Sequence, residues 1–114
     1  MPAGYEVLFL DQGTTYNIDI NMILTNNLPY DLANTAARAQ VKKSYYNPTV
    51  IAEFVVTMPD PPTGVINISM DANTTANIAP GRYVYDVLLK DSANNVSRVV
   101  EGILNVSPQV TSEF

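Results

Sequence analysis

Ile78-Ala79-Pro80-Gly81-Arg82-Tyr83-Val84-Tyr85-Asp86-Val87-Leu88-Leu89-Lys90-Asp91 reads as a sharp corner feeding a long central strand. Pro80 fixes its own φ and Gly81 admits positive φ, so the pair turns the chain. Beyond it Tyr83, Tyr85, Val87 and Leu89 recur at the strand period of two, which assigns that face to the core. The other face, Arg82 to Lys90, is mixed in polarity and reads as half covered, with charge at both ends. A Tyr directly after such a corner has a specific use in β-sandwiches: its ring packs inside while its hydroxyl reaches back to backbone in the preceding loop. Tyr83 is the candidate, and Pro80, Gly81 and Tyr83 are the structural residues on which the fold reading rests.

Working outward, the remaining segments give short strands separated by turn signals. Glu6 to Leu10 is an apolar run stopped by Asp11-Gln12-Gly13, and from Thr15 the chain alternates, with Tyr16, Ile18, Ile20, Met22 and Leu24 on one side. Asn26 to Leu32 reads as a loop, with Leu32 plugging one end of the core. Thr35 to Lys43 alternates Ala37, Ala39 and Val41 against Arg38, Gln40 and Lys42. Its Ala-rich start suits a helix on propensity, but the period and the short length favour a strand. Tyr45 and Tyr46 follow, and adjacent residues cannot both face the core. Val50 to Met58 places Ala52, Phe54, Val56 and Met58 inward, and Pro59, Pro61 and Pro62 then make a stiff connection.

Val65 to Met70 points Ile66, Ile68 and Met70 inward, and Asp71 to Asn77 reads as an Asp-capped single helical turn. Asp91 to Asn95 suits a hairpin loop whose Asn residues accept left-handed backbone. The last strand runs from Val96 to about Val106, with Gly102 suggesting a bulge. The sum is one all-β domain spanning 1–114, an immunoglobulin-like β-sandwich of about seven strands whose first and last strands are sheet edges.

Composition narrows the function. At 114 residues the chain buries roughly two-thirds of its unfolded surface, enough for a core. It has no Cys and no His, which removes disulfides, thiolate metal sites and the commonest general base and zinc ligand. Net charge is −5 with 6 Lys and Arg, so neither nucleic acid nor an acidic membrane surface is an expected partner. No apolar run approaches a membrane span of ~20 residues and the start lacks a signal-peptide pattern, so the expectation is a soluble chain made in the cytosol. Glu113-Phe114 carries no weight in this reading.

Catalysis would have to be assembled from Asp, Glu, Lys, Tyr and Ser. Asp19 and Asp86 on neighbouring strands are the pair to consider, although acids scattered on solvated strand faces are the ordinary arrangement. No catalytic, cofactor-binding or metal-ligating set is assigned. Asp31, Asp60, Asp71 and Asp91 fall in loops without the spaced pattern of a calcium loop, so turn formation and capping explain them. The sequons at Asn67, Asn73, Asn95 and Asn105 follow from a composition rich in Asn, Ser and Thr. Tyr45, Tyr46 and Arg82 are the candidate interface residues, since Tyr and Arg are favoured anchors.

One ordered series of motifs carries a resemblance. Leu10-Asp11-Gln12-Gly13-Thr14-Thr15 is followed by Pro29-Tyr30-Asp31-Leu32, Ala37-Arg38-Ala39-Gln40-Val41-Lys42-Lys43-Ser44 and Gly64-Val65-Ile66-Asn67-Ile68-Ser69. Then come Pro80-Gly81-Arg82-Tyr83-Val84-Tyr85-Asp86-Val87, Arg98-Val99-Val100-Glu101-Gly102 and Val106-Ser107-Pro108-Gln109-Val110-Thr111. Over nearly its whole length this resembles the small β-sandwich domain of tailed-bacteriophage structural proteins, including the N-terminal domain of baseplate upper proteins and similar domains in cyanophage virion proteins. The resemblance implies a non-enzymatic virion component, made in the host cytoplasm and oligomeric in the particle. It would bind other virion proteins as a baseplate or tail adaptor or a capsid decoration protein. The alternative is a carbohydrate-binding or adhesion module, with Tyr45 and Tyr46 as its stacking platform.

Overall fold

The computed structural model describes residues 4–22 and 32–111. The expectations for Leu24, the loop from Asn26 to Asp31, and Glu113-Phe114 lie outside the described residues. Among the described residues eight strands run in chain order as β1 (Gly4–Tyr5), β2 (Leu8–Asp11), β3 (Tyr16–Asn21), β4 (Ala36–Lys42), β5 (Val50–Thr57), β6 (Val65–Met70), β7 (Gly81–Lys90) and β8 (Val96–Ser107). One helical turn, α1 (Ala72–Ala76), precedes the corner. The first predicted strand, Glu6 to Leu10, forms only from Leu8, as β2, and the short β1 precedes it along the same neighbour, so the count of about seven holds with these two taken together.

The strands form one sheet that curls over itself. Its order is β1-β8-β7-β4-β5-β6-β3, with β2 also on β8. The curl happens inside β5: Phe54 is its last partner for β4, and Val55 begins the pairing with β6. The larger layer thus holds β1, β2, β8, β7, β4 and the first half of β5. The smaller holds β3, β6 and the second half. This is an all-β, immunoglobulin-like sandwich, in which the β3–β6 pair faces the β4–β7–β8 set.

Periodicity was a good guide to the core. Tyr83, Tyr85, Val87 and Leu89 are all buried, as are Ala39 and Val41 of the neighbouring β4 and Ile66, Ile68 and Met70 of the facing β6. Phe54 links the layers, its ring 6.1 Å from that of Tyr16 on β3 and 6.3 Å, edge-on, from that of Tyr85 on β7. Leu32 is buried at one end, its N–H bonded to the Pro61 carbonyl at 2.9 Å. At the other end, buried Thr75 of α1 has its hydroxyl 2.7 Å from the Thr14 carbonyl, and Gln12 Nε2 donates to the Ile78 carbonyl at 3.0 Å.

The corner is built as the sequence indicates. Gly81 has φ +148°, and the Tyr83 hydroxyl donates to the Ala79 carbonyl at 2.6 Å. Replacing Tyr83 by Phe keeps the ring and removes that bond, so a loss of about 1 kcal/mol in unfolding free energy by urea titration is expected. A change within experimental error would remove the corner from the list of stabilising features.

Two expectations are corrected. The last strand, β8, is not an edge, because β1 and β2 pair with it in parallel and cover it, from Gly4 on Val100 to Asp11 on Ser107. Among the described residues the free margins are β1–β2 and β3. The bulge in β8 is not at Gly102, which pairs directly with Tyr85. It is at Val99, since Val87 pairs with Val100 and Leu88 with Arg98. Gly102 serves a different need: the Glu6 carbonyl occupies the space where a Cβ would stand. That carbonyl accepts the buried Tyr85 hydroxyl at 2.9 Å.

The exposed caps set an acid limit on the fold. Asp91 Oδ1 accepts the N–H groups of Asn95 and Ala93, both at 2.9 Å, closing the β7–β8 hairpin, and Asn94 beside it has φ +65°. Asp71 caps α1 through Thr74 at 2.7 Å. The Asn95 amide above all holds Asp91 below the usual carboxylate range, and the Thr74 bonds do so for Asp71. Both groups are depressed in the fold. Their contribution is therefore complete above the unfolded carboxylate value of about 4 and lost as pH falls through the folded values. Melting temperature should fall progressively below about pH 4, with a shallower slope in Asp91→Asn. Calorimetry that finds parallel slopes for the two proteins would exclude Asp91 as a contributor.

Candidate interaction surface

The outer face of the larger layer gathers most of the side chains able to recognise anything. Residues opposed across a ladder share a face. One row runs Glu53–Gln40–Asp86–Glu101–Tyr5 across five strands. A second, nearer the corner, runs Arg82–Asn105–Phe9.

The Val99 bulge brings one more group onto this face. Residues three apart on a regular strand point opposite ways, but the extra residue resets the phase, so Arg98 and Glu101 lie on the same side. Arg98 Nη1 contacts Glu101 Oε2 at 2.9 Å, and its Nε contacts Asp86 Oδ2 at 3.3 Å. The Tyr45 hydroxyl donates to Glu101 Oε1 at 3.4 Å. Burial chiefly, and then the Glu101 carboxylate, push the Tyr45 phenol above its ordinary value, which keeps it a hydrogen-bond donor. Arg38 holds Glu53 through two bonds, at 2.8 and 3.1 Å, and these bonds lower the Glu53 carboxyl. A shallow groove of about 210 Å³ lies among Gln40, Lys42, Tyr45, Asp86 and Arg98. Its one carboxylate, Asp86, is already paired with the Arg98 guanidinium, so the groove offers hydrogen bonding, ring contact and the Lys42 ammonium rather than an unpartnered acid.

The three residues singled out in the sequence behave differently. Arg82 is exposed, and its carbonyl accepts from Lys43 Nζ at 3.4 Å, which places the segment after β4 beside it. Tyr45 joins the Glu101 cluster while remaining 51% exposed, and Tyr46 is 98% exposed. Neither Tyr enters the core, because β4 ends at Lys42 and a turn closed by Asn47 N–H on the Ser44 carbonyl, 3.2 Å, lifts both from the sheet. Sequence reasoning missed Tyr5 and Phe9, which are 59% and 73% exposed. The signal was present: with Leu8 and Leu10 inward, alternation sends Phe9 outward.

Asp19 and Asp86 are not on neighbouring strands. They lie on the outer faces of opposite layers, Asp19 opposed to Asn67 and Asp86 to Glu101. Among the described residues no three Asp or Glu side chains gather to hold a metal ion, and no helix is long and apolar enough to cross a membrane.

The class defined by these observations is an immunoglobulin-like all-β module with an aromatic outer face beside a strand margin. No family model and no curated protein matches the chain. Among solved structures it is similar to an internalin-like protein of Listeria monocytogenes, at 18% identity and a TM-score of 0.50, over 92% of this chain and 28% of that one. It is also similar to CopC from Methylosinus trichosporium OB3b, at 12% identity and a TM-score of 0.48, over 93% of this chain and 90% of that one. The chain therefore spans less than a third of the internalin-like protein, and at 18% identity that likeness concerns the fold.

Proposed function

We propose that this protein is a non-enzymatic structural component of a tailed-phage virion, a baseplate or tail adaptor or a capsid decoration protein, that binds neighbouring virion proteins. The supporting observation is the outer face that carries Tyr5, Phe9, Tyr45 and Arg82 beside the β1–β2 margin. Aromatic rings and an Arg beside an incompletely paired strand are the anchors that protein interfaces favour. The paired charges around them supply a polar rim. Cryo-electron microscopy of tailed particles encoded with this chain tests the reading. Density for the sandwich at baseplate, tail or capsid, with this face against a neighbour, is expected; absence from the particle overturns it.

A second reading, a carbohydrate-binding module, is favoured by one observation: the almost fully exposed ring of Tyr46 is an open stacking surface. Glycan-array binding abolished by Tyr46→Ala but unaffected by Phe9→Ala would support that reading over the first.

A further inference from the structure

The second margin of the sandwich, β3, is built differently from the first. Sheet edges that stay monomeric are guarded by Pro, Lys, a bulge or a broken strand. The β1–β2 margin is broken between Tyr5 and Leu8. β3 has none of these devices: Tyr16-Asn17-Ile18-Asp19-Ile20-Asn21 pairs with β6 through an uninterrupted register and, among the described residues, with no other strand. All of the chain's Lys and Arg lie on β4, β7 and β8 or directly after β4, so none guards the smaller layer. The core is also unfinished here. Tyr16, Ile18 and Ile20 are only half buried, while their partners Met70, Ile68 and Ile66 are fully buried. A groove of about 360 Å³ runs beside Ile18 and Ile20, bounded by Leu8 and Glu6.

We propose that β3 pairs antiparallel with β3 of a second copy about a twofold axis through Ile18, joining two smaller layers into one continuous sheet. Opposed residues must share a face, so the axis passes through a residue, and near the strand's centre the choices are Ile18 and Asp19. An axis through Asp19 sets two carboxylates directly opposite one another, which is unfavourable. An axis through Ile18 sets Ile18 on Ile18 and Tyr16 on Ile20 of the second copy, completing the apolar side. On the outer side it sets Asn17 opposite Asp19. The two copies are complementary there: the Asn67 amide already donates to Asn17 Oδ1 at 2.6 Å and to Asp19 Oδ1 at 2.8 Å. Asn17 Nδ2 and Asp19 Oδ2 are then left to bond across the axis, and the symmetry makes the bond twice. The pairing goes beyond the virion reading and belongs to the isolated chain, so failure of one leaves the other standing.

Sedimentation velocity over a concentration series of the purified chain tests it, with two variants at exposed Asn17. The wild type should show a monomer–dimer equilibrium below about 1 mM. Asn17→Asp opposes two carboxylates across each half of the interface and should raise the dissociation constant at least about tenfold. Asn17→Lys opposes Asp19 of the second copy with an ammonium instead of a carboxylate, so it should dimerise better than Asn17→Asp, and more weakly as salt is raised. A wild type that stays monomeric through about 1 mM, or a dimer that Asn17→Asp does not weaken, overturns the proposal.

Discussion

Gly102→Ala should cost the fold about 3 kcal/mol or more, a large effect for one methyl group on a strand. The added Cβ would need the space held by the Glu6 carbonyl, and a backbone atom cannot yield by changing rotamer. Glu6 is fixed from both sides. Its N–H bonds the Glu101 carbonyl at 3.0 Å, and its carbonyl accepts the Tyr85 hydroxyl at 2.9 Å. Displacing it strips a partner from a buried phenol, which burial already holds far above its ordinary pKa, and lifts β1 and β2 from β8. Amide exchange should therefore quicken along Glu6 to Leu10 well before the central β7 amides open. Gly4→Ala provides the control on the same margin, since a Cβ there would sit 3.7 Å from the Val99 carbonyl, an ordinary contact. That variant should stay within about 0.5 kcal/mol of the wild type. If the two glycines prove equally tolerant, the close approach of Glu6 does not hold the margin.

The contrast between Gly102 and its strand shows where sequence reading stops. A Gly inside a strand signals either a bulge or a close approach of another backbone, and only the partner decides which. Here the partner is Glu6, nearly a whole chain length away, brought in by a parallel pairing that leaves no hairpin signature. The bulge fell instead at Val99, within a run of similar valines where no residue marks it. Antiparallel neighbours were legible because their inward residues repeat at period two, as in β7 and β6, and because Asp71, Pro80-Gly81 and Asp91 end or start elements by local chemistry. The candidate surface was partly legible for the same reason. Arg82 and Tyr45 were singled out by residue type, and Phe9 lay within reach of alternation. The Arg98–Glu101–Asp86 cluster was hidden, since it depends on the phase change that the bulge makes.

Phe54→Ala should be the most damaging substitution in the molecule, at about 3–5 kcal/mol. Phe54 sits where β5 stops pairing with β4 and starts pairing with β6, so its ring occupies the inside of the curl. It packs on Tyr16 from one layer and Tyr85 from the other. Its cross-strand partner is Ala39, which is fully buried and too small to fill the space left behind. With no disulfide to hold the layers together and a typical domain stability of about 5–15 kcal/mol, such a loss brings the chain close to unfolding at room temperature. Phe54→Leu keeps much of the volume but loses both ring contacts, so it should fall between Phe54→Ala and the wild type. That ordering separates the cavity from the aromatic geometry. A Leu variant as stable as the wild type would show that volume alone is required, whereas one as unstable as Ala would make the ring contacts decisive. An Ala variant that loses under about 1.5 kcal/mol would mean that the two layers close without Phe54, and the curl would then have to be held by the β5 backbone.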